Sequence, residues 1–275
     1  MTYRGMDRAA LDAAYNNSAA VGLERRDRYL ADWTERTRAL AARVGAKRDL
    51  RYGDGARHRL DFYPAANAGA PLFVFIHGGY WQISDKENYG CVAAGLLTHG
   101  IPVAALEYTL APAIRMDGIV AEMRSALAFL RREAAALGAA PRFVVSGHSA
   151  GGHLAAMLLD EPQVAGVLPI SGLFDLEPIR LSYLNDKVGL DADAARRNSP
   201  ILRIPDAAPP LAIACGASEL PEMRRQSADY HAALRAKGLA AELLTLDGHD
   251  HFSILEELAA SDGRLTAAAR QLLRA

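Results

Sequence analysis

Two glycine-bearing segments of this 275-residue chain carry residue types that could perform acyl transfer. The first is Phe143-Val144-Val145-Ser146-Gly147-His148-Ser149-Ala150-Gly151-Gly152-His153-Leu154, a G-x-S-x-G between an apolar run and a helix-like one. A serine at a sharp strand-to-helix turn takes a strained backbone conformation, tolerated where residues two positions away lack side chains. Gly147 and Gly151 supply that room. The turn then presents Ser149 Oγ as a nucleophile and sets the Ala150 amide at a helix start, where it can stabilise an oxyanion. The second segment is Phe73-Val74-Phe75-Ile76-His77-Gly78-Gly79-Tyr80-Trp81, a strand-like run ending in His-Gly-Gly. Consecutive glycines let a loop turn its N–H groups inward. The Gly79 and Tyr80 amides are therefore the expected other half of an oxyanion hole, with His77 and Gly78 shaping the loop.

A nucleophilic serine needs a base and an orienting carboxylate, here in the order serine, acid, histidine. Of eight histidines, His249 and His251 follow the apolar segment 240–246 and precede a helix-like run starting near Phe252. His251 is favoured because the helix start beyond it would hold the ring. His249 is the alternative, and a metal pair of the two lacks a third ligand at sensible spacing. For the acid, Glu219 lies in the loop after Leu211–Cys215, Asp175 follows the preceding run, and Asp247 is close in sequence to the histidines. Order alone favours Glu219 and leaves Asp175 open.

The elements that must position these residues are legible as periodicity. Leu72–Ile76, Val103–Leu106, Phe143–Val145, Val164–Ile170 and Leu211–Cys215 are short apolar runs. Helical patterns intervene, through Ile119, Met123, Leu127 and Leu130, through Leu154, Met157 and Leu158, and through Leu265, Ala268, Ala269 and Leu272. Apolar strands alternating with amphipathic helices imply a mostly parallel sheet covered on both faces. Arg57–Tyr63 alternates as a half-buried strand would. Residues 1–45 read as a helical N-terminal extension, with Leu30, Trp33, Thr37, Leu40 and Val44 on one stripe. Residues 173–210 read as a lid-like insertion within a single domain spanning 1–275. With 51% hydrophobic residues and a net charge of −1, nothing in the overall charge draws nucleic acid or an anionic membrane. Cys91 and Cys215 are too few for a disulfide framework and read as buried apolar residues. The apolar runs fall well short of the ~20 residues of a membrane span, and no signal-like apolar stretch follows Met1. The expectation is a cytoplasmic enzyme with a small-molecule substrate, no cofactor and no metal; a homodimer is compatible with it.

These segments resemble the α/β-hydrolase serine hydrolases of the kynurenine formamidase (arylformamidase) type, close to the hormone-sensitive-lipase-like carboxylesterases. The resemblance covers nearly the whole chain. His77-Gly78-Gly79-Tyr80-Trp81 matches the formamidase form of the oxyanion motif, where many esterases have a third glycine. Gly147-His148-Ser149-Ala150-Gly151 is the elbow common to the superfamily. Glu219-Leu220-Pro221-Glu222 with Arg225-Gln226-Ser227 resembles the segment bearing the acid, and His251-Phe252-Ser253-Ile254 the segment bearing the base. Tyr15-Asn16-Asn17 is similar to a stretch in bacterial members. The resemblance implies Ser149, His251 and Glu219 as a triad, although many formamidases have Asp at the acid position. It also implies hydrolysis of a short-acyl ester or aryl formamide. The alternatives are a general carboxylesterase on short-chain esters and a non-catalytic ligand-binding homologue. Tyr80 and Trp81 are expected to crowd the acyl pocket, and Phe174 and Tyr183 to stack on an aromatic leaving group. His148 is expected beside them in the substrate site.

Overall fold

Short β-branched and aromatic runs here build one sheet of eight strands, ordered β1-β2-β4-β3-β5-β6-β7-β8. The structure, a computed structural model, describes residues 2–274. In chain order the strands are β1 Lys47–Arg51, β2 Arg59–Tyr63, β3 Ala70–Ile76, β4 Val103–Leu106, β5 Ala139–His148, β6 Val164–Ile170, β7 Leu211–Gly216 and β8 Ala241–Leu246. The pairings of β2 with β1 and β4 are antiparallel, and all pairings among β3 to β8 are parallel. The helices are α1 Arg8–Ala14, α2 Asn17–Val21, α3 Leu23–Val44, α4 Ala93–Leu97, α5 Met116–Glu133, α6 Ala150–Ala156, α7 Glu177–Arg180, α8 Asn185–Val188, α9 Ala192–Arg197, α10 Pro221–Ala236, α11 Glu256–Ala259 and α12 Arg264–Arg274. This is the mostly parallel sheet covered on both faces that the residue pattern predicts, and the α/β-hydrolase architecture that the resemblance implies.

The sheet is buried on both faces, and β3 shows how. Leu72, Val74 and Ile76 enter one core with Ile119, Met123, Leu127 and Leu130 of α5. Phe73 and Phe75 enter the other with Trp33 and Leu40 of α3 and Leu265 and Leu272 of α12. Both cores need apolar residues, so the central strands read as continuous apolar runs rather than alternating ones.

The strand order reverses around β3. Its chain continues to β4 on one side, while β5 pairs on the other and continues to β6. Loops leaving the C-terminal ends of β3 and β5 therefore diverge and leave a crevice, the usual ligand position in such sheets. Pairing of Ile76 with Gly147 brings the His77 loop beside the Ser149 turn at that crevice.

Strand β2 departs from the half-buried alternation read for it. Asp61 is fully buried, with Lys86 Nζ 2.8 Å and Arg48 Nε 3.2 Å from its carboxylate. Buried charge pairs thus line the face that the pattern assigns to solvent.

The first residues form a strap of two short helices and then the long α3. Along α3, Trp33, Thr37, Leu40 and Ala41 are buried, and Trp33 Nε1 donates to Glu256 at 2.7 Å. Ahead of it, Tyr3 Oη donates to Asp175 at 2.7 Å, Arg8 pairs with Asp186 at 2.8 Å, and the Tyr183 amide donates to Asp12 at 2.6 Å. The strap therefore grips residues 173–210, the segment after β6 that holds α7, α8 and α9. Among the described residues, no helix is long and apolar enough to cross a membrane.

Candidate active site

Ser149 occupies the turn between β5 and α6 with φ +56° and ψ −116°, a conformation costly for any residue with a Cβ. Its amide donates to the Ile170 carbonyl at 2.8 Å, which pins the turn. A Cβ on Gly147 would overlap the Gly151 carbonyl, and one on Gly151 would overlap the Ile76 carbonyl. The two glycines are required by close backbone approach, as the motif predicts.

The neighbouring loop carries its own strain. Gly79, Tyr80 and Trp81 have φ of +105°, +48° and +59°, so two aromatic residues hold the left-handed conformation that ordinarily favours glycine. Tertiary contacts hold them there. Tyr80 Oη donates to the Tyr15 carbonyl at 2.6 Å, and the Trp81 carbonyl accepts from the Ala111 amide at 2.7 Å. A Cβ on Gly78 would meet the His148 carbonyl at 2.9 Å and Ser149 Cβ at 3.3 Å, so this loop lies against the serine turn. Ala150 opens α6 on the other side.

His77 anchors the loop from below. Its Nε2 lies 2.8 Å from Glu107 Oε1 and its Nδ1 2.8 Å from the Gly78 carbonyl, while the ring stacks on Tyr108 at 4.3 Å. The same Glu107 oxygen accepts from Arg57 at 2.7 Å, and Arg57 also donates to the Ser84 carbonyl at 2.6 Å. Burial alone would raise the Glu107 carboxyl, but His77, Arg57 and the Tyr108 amide outweigh it and hold it below the ordinary carboxylate value. The sequence reading missed Glu107 and Arg57, because a single carboxylate and a single arginine carry no spacing signal.

Parallel pairing of Gly216 with Leu246 sets the loops after β7 and β8 side by side. His251 Nδ1 lies 2.8 Å from Glu219 Oε2. The other Glu219 oxygen accepts from Ser171 Oγ and from the Gly216 amide, each at 2.6 Å, so every face of this buried carboxylate is engaged. The rivals lie elsewhere. Asp175 accepts from Tyr3 and from the Glu177 amide, Asp247 is exposed, and His249 is engaged by the Ser253 carbonyl and Glu257.

A small cavity of about 50 Å³ opens here, walled by residues that include Ser149, His251, Gly79, Tyr80, His148 and Asn17. His148 faces it from the motif itself. Its Nε2 lies 2.6 Å from the His251 carbonyl, and the two rings are 4.6 Å apart. Burial, then the neighbouring His251, push His148 well below the ordinary histidine value, so it is a neutral ring that donates from Nε2 to the His251 carbonyl and braces that loop.

Two aromatic assignments need correction. Trp81 is fully buried and edge-on to His153 at 5.0 Å, and Phe174 is buried and stacked on Tyr230 at 4.3 Å; neither lines the cavity. Proximity to a motif did not reveal which way those side chains turn. Tyr183 is half-exposed in the segment under the strap and also lies outside the cavity wall. Asn17 is among the wall residues not singled out for the site, although Tyr15-Asn16-Asn17 belonged to the resemblance. Its Nδ2 lies 3.0 Å from Tyr80 Oη and 3.3 Å from His251 Nε2. Among the described residues, no group of three His, Cys, Asp or Glu side chains is arranged to hold a metal.

A serine at a strained strand-to-helix turn and a carboxylate-bound imidazole on the wall of the same cavity, set on this sheet, define the class: this is an α/β-hydrolase. Comparison with known proteins narrows the class. The BD-FAE family profile matches residues 60–164. Kynurenine formamidase of Salmo salar is 34% identical over 253 residues, covering 86% of this chain and 84% of that protein. Isoprenylcysteine alpha-carbonyl methylesterase of Arabidopsis thaliana is 28% identical, covering 74% of this chain and 56% of that protein. A crystal structure from Silicibacter sp. TM1040, described as that of a proposed thioesterase, superposes with a TM-score of 0.86 at 31% identity, covering 94% of this chain and 98% of that one. The chain belongs to the kynurenine formamidase family, and it is a hydrolase.

Proposed function

We propose that this protein hydrolyses short-acyl aryl formamides through a covalent acyl-enzyme. The observation that carries the reading is that Ser149 and His251, the latter bonded to Glu219, line one small cavity together with Gly79 and Tyr80, a narrow site that suits a short acyl group. Ser149 Oγ attacks the acyl carbon as its proton passes to His251 Nε2, and the carbonyl π electrons move onto oxygen. Glu219 keeps the Nδ1 proton in place and offsets the imidazolium charge. The Gly79, Tyr80 and Ala150 amides receive the oxyanion, each such donor being worth roughly 3–4 kcal/mol by analogy. Collapse of the intermediate expels the aryl amine, which takes the Nε2 proton. Water then repeats the sequence on the acyl-serine and releases the acid. An aryl nitrogen is less basic than an alkyl one and leaves more readily, which suits an anilide.

A general short-chain carboxylesterase is the second reading, favoured by the methylesterase relative. Turnover of formyl, acetyl and butyryl esters and anilides separates the two, with Ser149→Ala as blank. We expect the formyl anilide to be turned over at a rate comparable to the formyl ester. A formanilide rate thousands-fold below the ester rate would remove the formamidase reading, and full activity in Ser149→Ala would remove the mechanism. Both cysteines are free and buried, which suits a reducing compartment, and we assign the enzyme to the cytoplasm.

A further inference from the structure

The atom that touches the reacting nitrogen of His251 comes from the far end of the chain. With the Nδ1 proton committed to the Glu219 carboxylate, Nε2 is the bare acceptor of the resting ring. Among the described residues, the hydrogen bond Nε2 makes is to Asn17 Nδ2, at 3.3 Å. The amide orientation follows from its neighbours. Tyr80 Oη spends its proton on the Tyr15 carbonyl and so presents a lone pair to Asn17 at 3.0 Å. Two acceptors face this end of the side chain, and only the NH₂ group satisfies both. Asn17 is 3% exposed, and its Oδ1 is buried with no protein partner, a desolvation cost that the fold sustains at this point.

Asn17 also stands between two cavities. One is the small pocket with Ser149; the other is a polar cavity of about 250 Å³ that includes Arg25, Ser218, Glu219 and Asp250. The residues common to both walls are Asn17 and His251. On one side the ring is held by Glu219 and its loop by His148. On the other, the Asn17 amide lies against Nε2 between the two cavities.

We propose that Asn17 is a positioning residue for the base: in the resting enzyme its amide N–H donates to Nε2 of the unprotonated His251 and holds the ring at the cavity, and it yields that lone pair to the Ser149 hydroxyl when the serine attacks. The inference rests on the serine-hydrolase reading above. The charged and titratable groups around the ring are Glu219 on Nδ1, His148 at 4.6 Å, Tyr80 through Asn17, and Asp250 next in the chain, which is paired with Arg25 at 3.1 Å. A donor on Nε2 favours the unprotonated base. A carboxylate in the same place favours the imidazolium, which cannot accept the serine proton.

Asn17→Asp separates this role from a structural one. Asn17 is the first residue of α2, and an acidic side chain of the same shape keeps its volume while losing the donor to both Nε2 and Tyr80 Oη. A merely structural loss lowers the rate without moving the pH limb, so the limb separates the two roles. The measurement is the rate of Ser149 labelling by a fluorophosphonate probe against pH, in wild type, Asn17→Asp and Asn17→Ala. This readout does not depend on which acyl substrate is correct. We expect Asn17→Asp to label at least tenfold more slowly at neutral pH, with its acidic limb moved up by about one pH unit or more. Asn17→Ala should slow labelling severalfold with a smaller upward movement. Wild-type limbs in both variants, whatever the rates, would overturn the inference. If Asn17→Asp does not fold, an unchanged limb in Asn17→Ala overturns it alone. A wild type that fails to label at all would remove the serine reading and this inference with it, an outcome distinct from the other two.

Discussion

Glu219 and Asp175 are both carboxylates in loops at the same end of the sheet, and their hydrogen bonds separate them. Glu219 spends one oxygen on the His251 ring and the other on Ser171 and the Gly216 amide. Asp175 spends its oxygens on Tyr3 and the start of α7. Glu219→Gln should therefore lower kcat by roughly 10³–10⁴-fold, the scale seen when an orienting carboxylate becomes an amide and the wrong tautomer results. Asp175→Asn should leave kcat within a few-fold. Steady-state kinetics on a formyl ester decide this, and the reverse pattern would transfer the acid's role to Asp175. Ser149 was legible from its motif because the strained turn needs its two glycines. Chain order placed Glu219 and His251 at strand ends but left Asp175 and His249 open, and the resemblance lifted one of each above its rival. Asn17 lacked such a signal, since it meets His251 across 234 positions of sequence. Trp81 and Phe174 were misread for a related reason, as an aromatic residue beside a motif carries no information about direction.

At the scale of elements, α6 does more than present the serine. Its His153 is fully buried, and Nε2 lies 2.7 Å from the Asn198 carbonyl, at the C-terminus of α9. One ring thus ties the nucleophile's helix to the segment after β6. Burial lowers the His153 pKa from the ordinary 6.5 to about 4, against a smaller opposing effect of the Asn198 carbonyl. The sign follows from the depressed value. Between pH 6.5 and 4 the unfolded chain holds a proton that the folded ring refuses, so stability is intact above pH 6.5 and falls as pH drops. The loss should approach about 1.4 kcal/mol per pH unit for this ring, with His148 adding a similar slope. Denaturant melts at pH 7 and pH 5 test it: His153→Gln should be less stable at pH 7 yet lose less between the two pH values than wild type. An equal loss would assign the acid sensitivity elsewhere. The element pattern itself was readable, because β3, β5 and β7 must be apolar on both faces. Strand β2 was misread because Lys86 and Arg48 satisfy Asp61 inside the fold, and periodicity registers polarity without registering pairing.

At the scale of the whole molecule, the active site depends on segments remote in sequence. The strap supplies Asn17 to His251 and the Tyr15 carbonyl to Tyr80. Tyr15 also accepts from Gln226 of α10 at 2.9 Å, and the Gln226 carbonyl in turn accepts from the Phe174 and Asp175 amides at 2.6 and 2.8 Å. What holds the strap down can be decided by magnitude. The Arg8–Asp186 pair is exposed on both sides, at 58% and 65%, and such pairs contribute about 0–1 kcal/mol. Leu11 is fully buried in the main core, and truncating such a residue costs roughly 2–5 kcal/mol. Arg8→Ala should therefore leave activity and strap protection nearly unchanged. Leu11→Ala should loosen the strap as a unit, because Leu11 and Tyr15 are its fully buried apolar anchors. Hydrogen bonds such as those of Tyr3 with Asp175 and of the Tyr183 amide with Asp12 form only while it lies in place. Hydrogen exchange should then accelerate together in residues 3–22 and 173–190, while the strands β3 to β7 keep their protection. A looser wall around the cavity of about 50 Å³ should also raise butyryl-ester turnover relative to formyl-ester turnover. If exchange accelerates across the sheet as well, Leu11 serves the global core rather than the strap; if the butyryl-to-formyl ratio stays fixed while the strap opens, the strap does not set the acyl size.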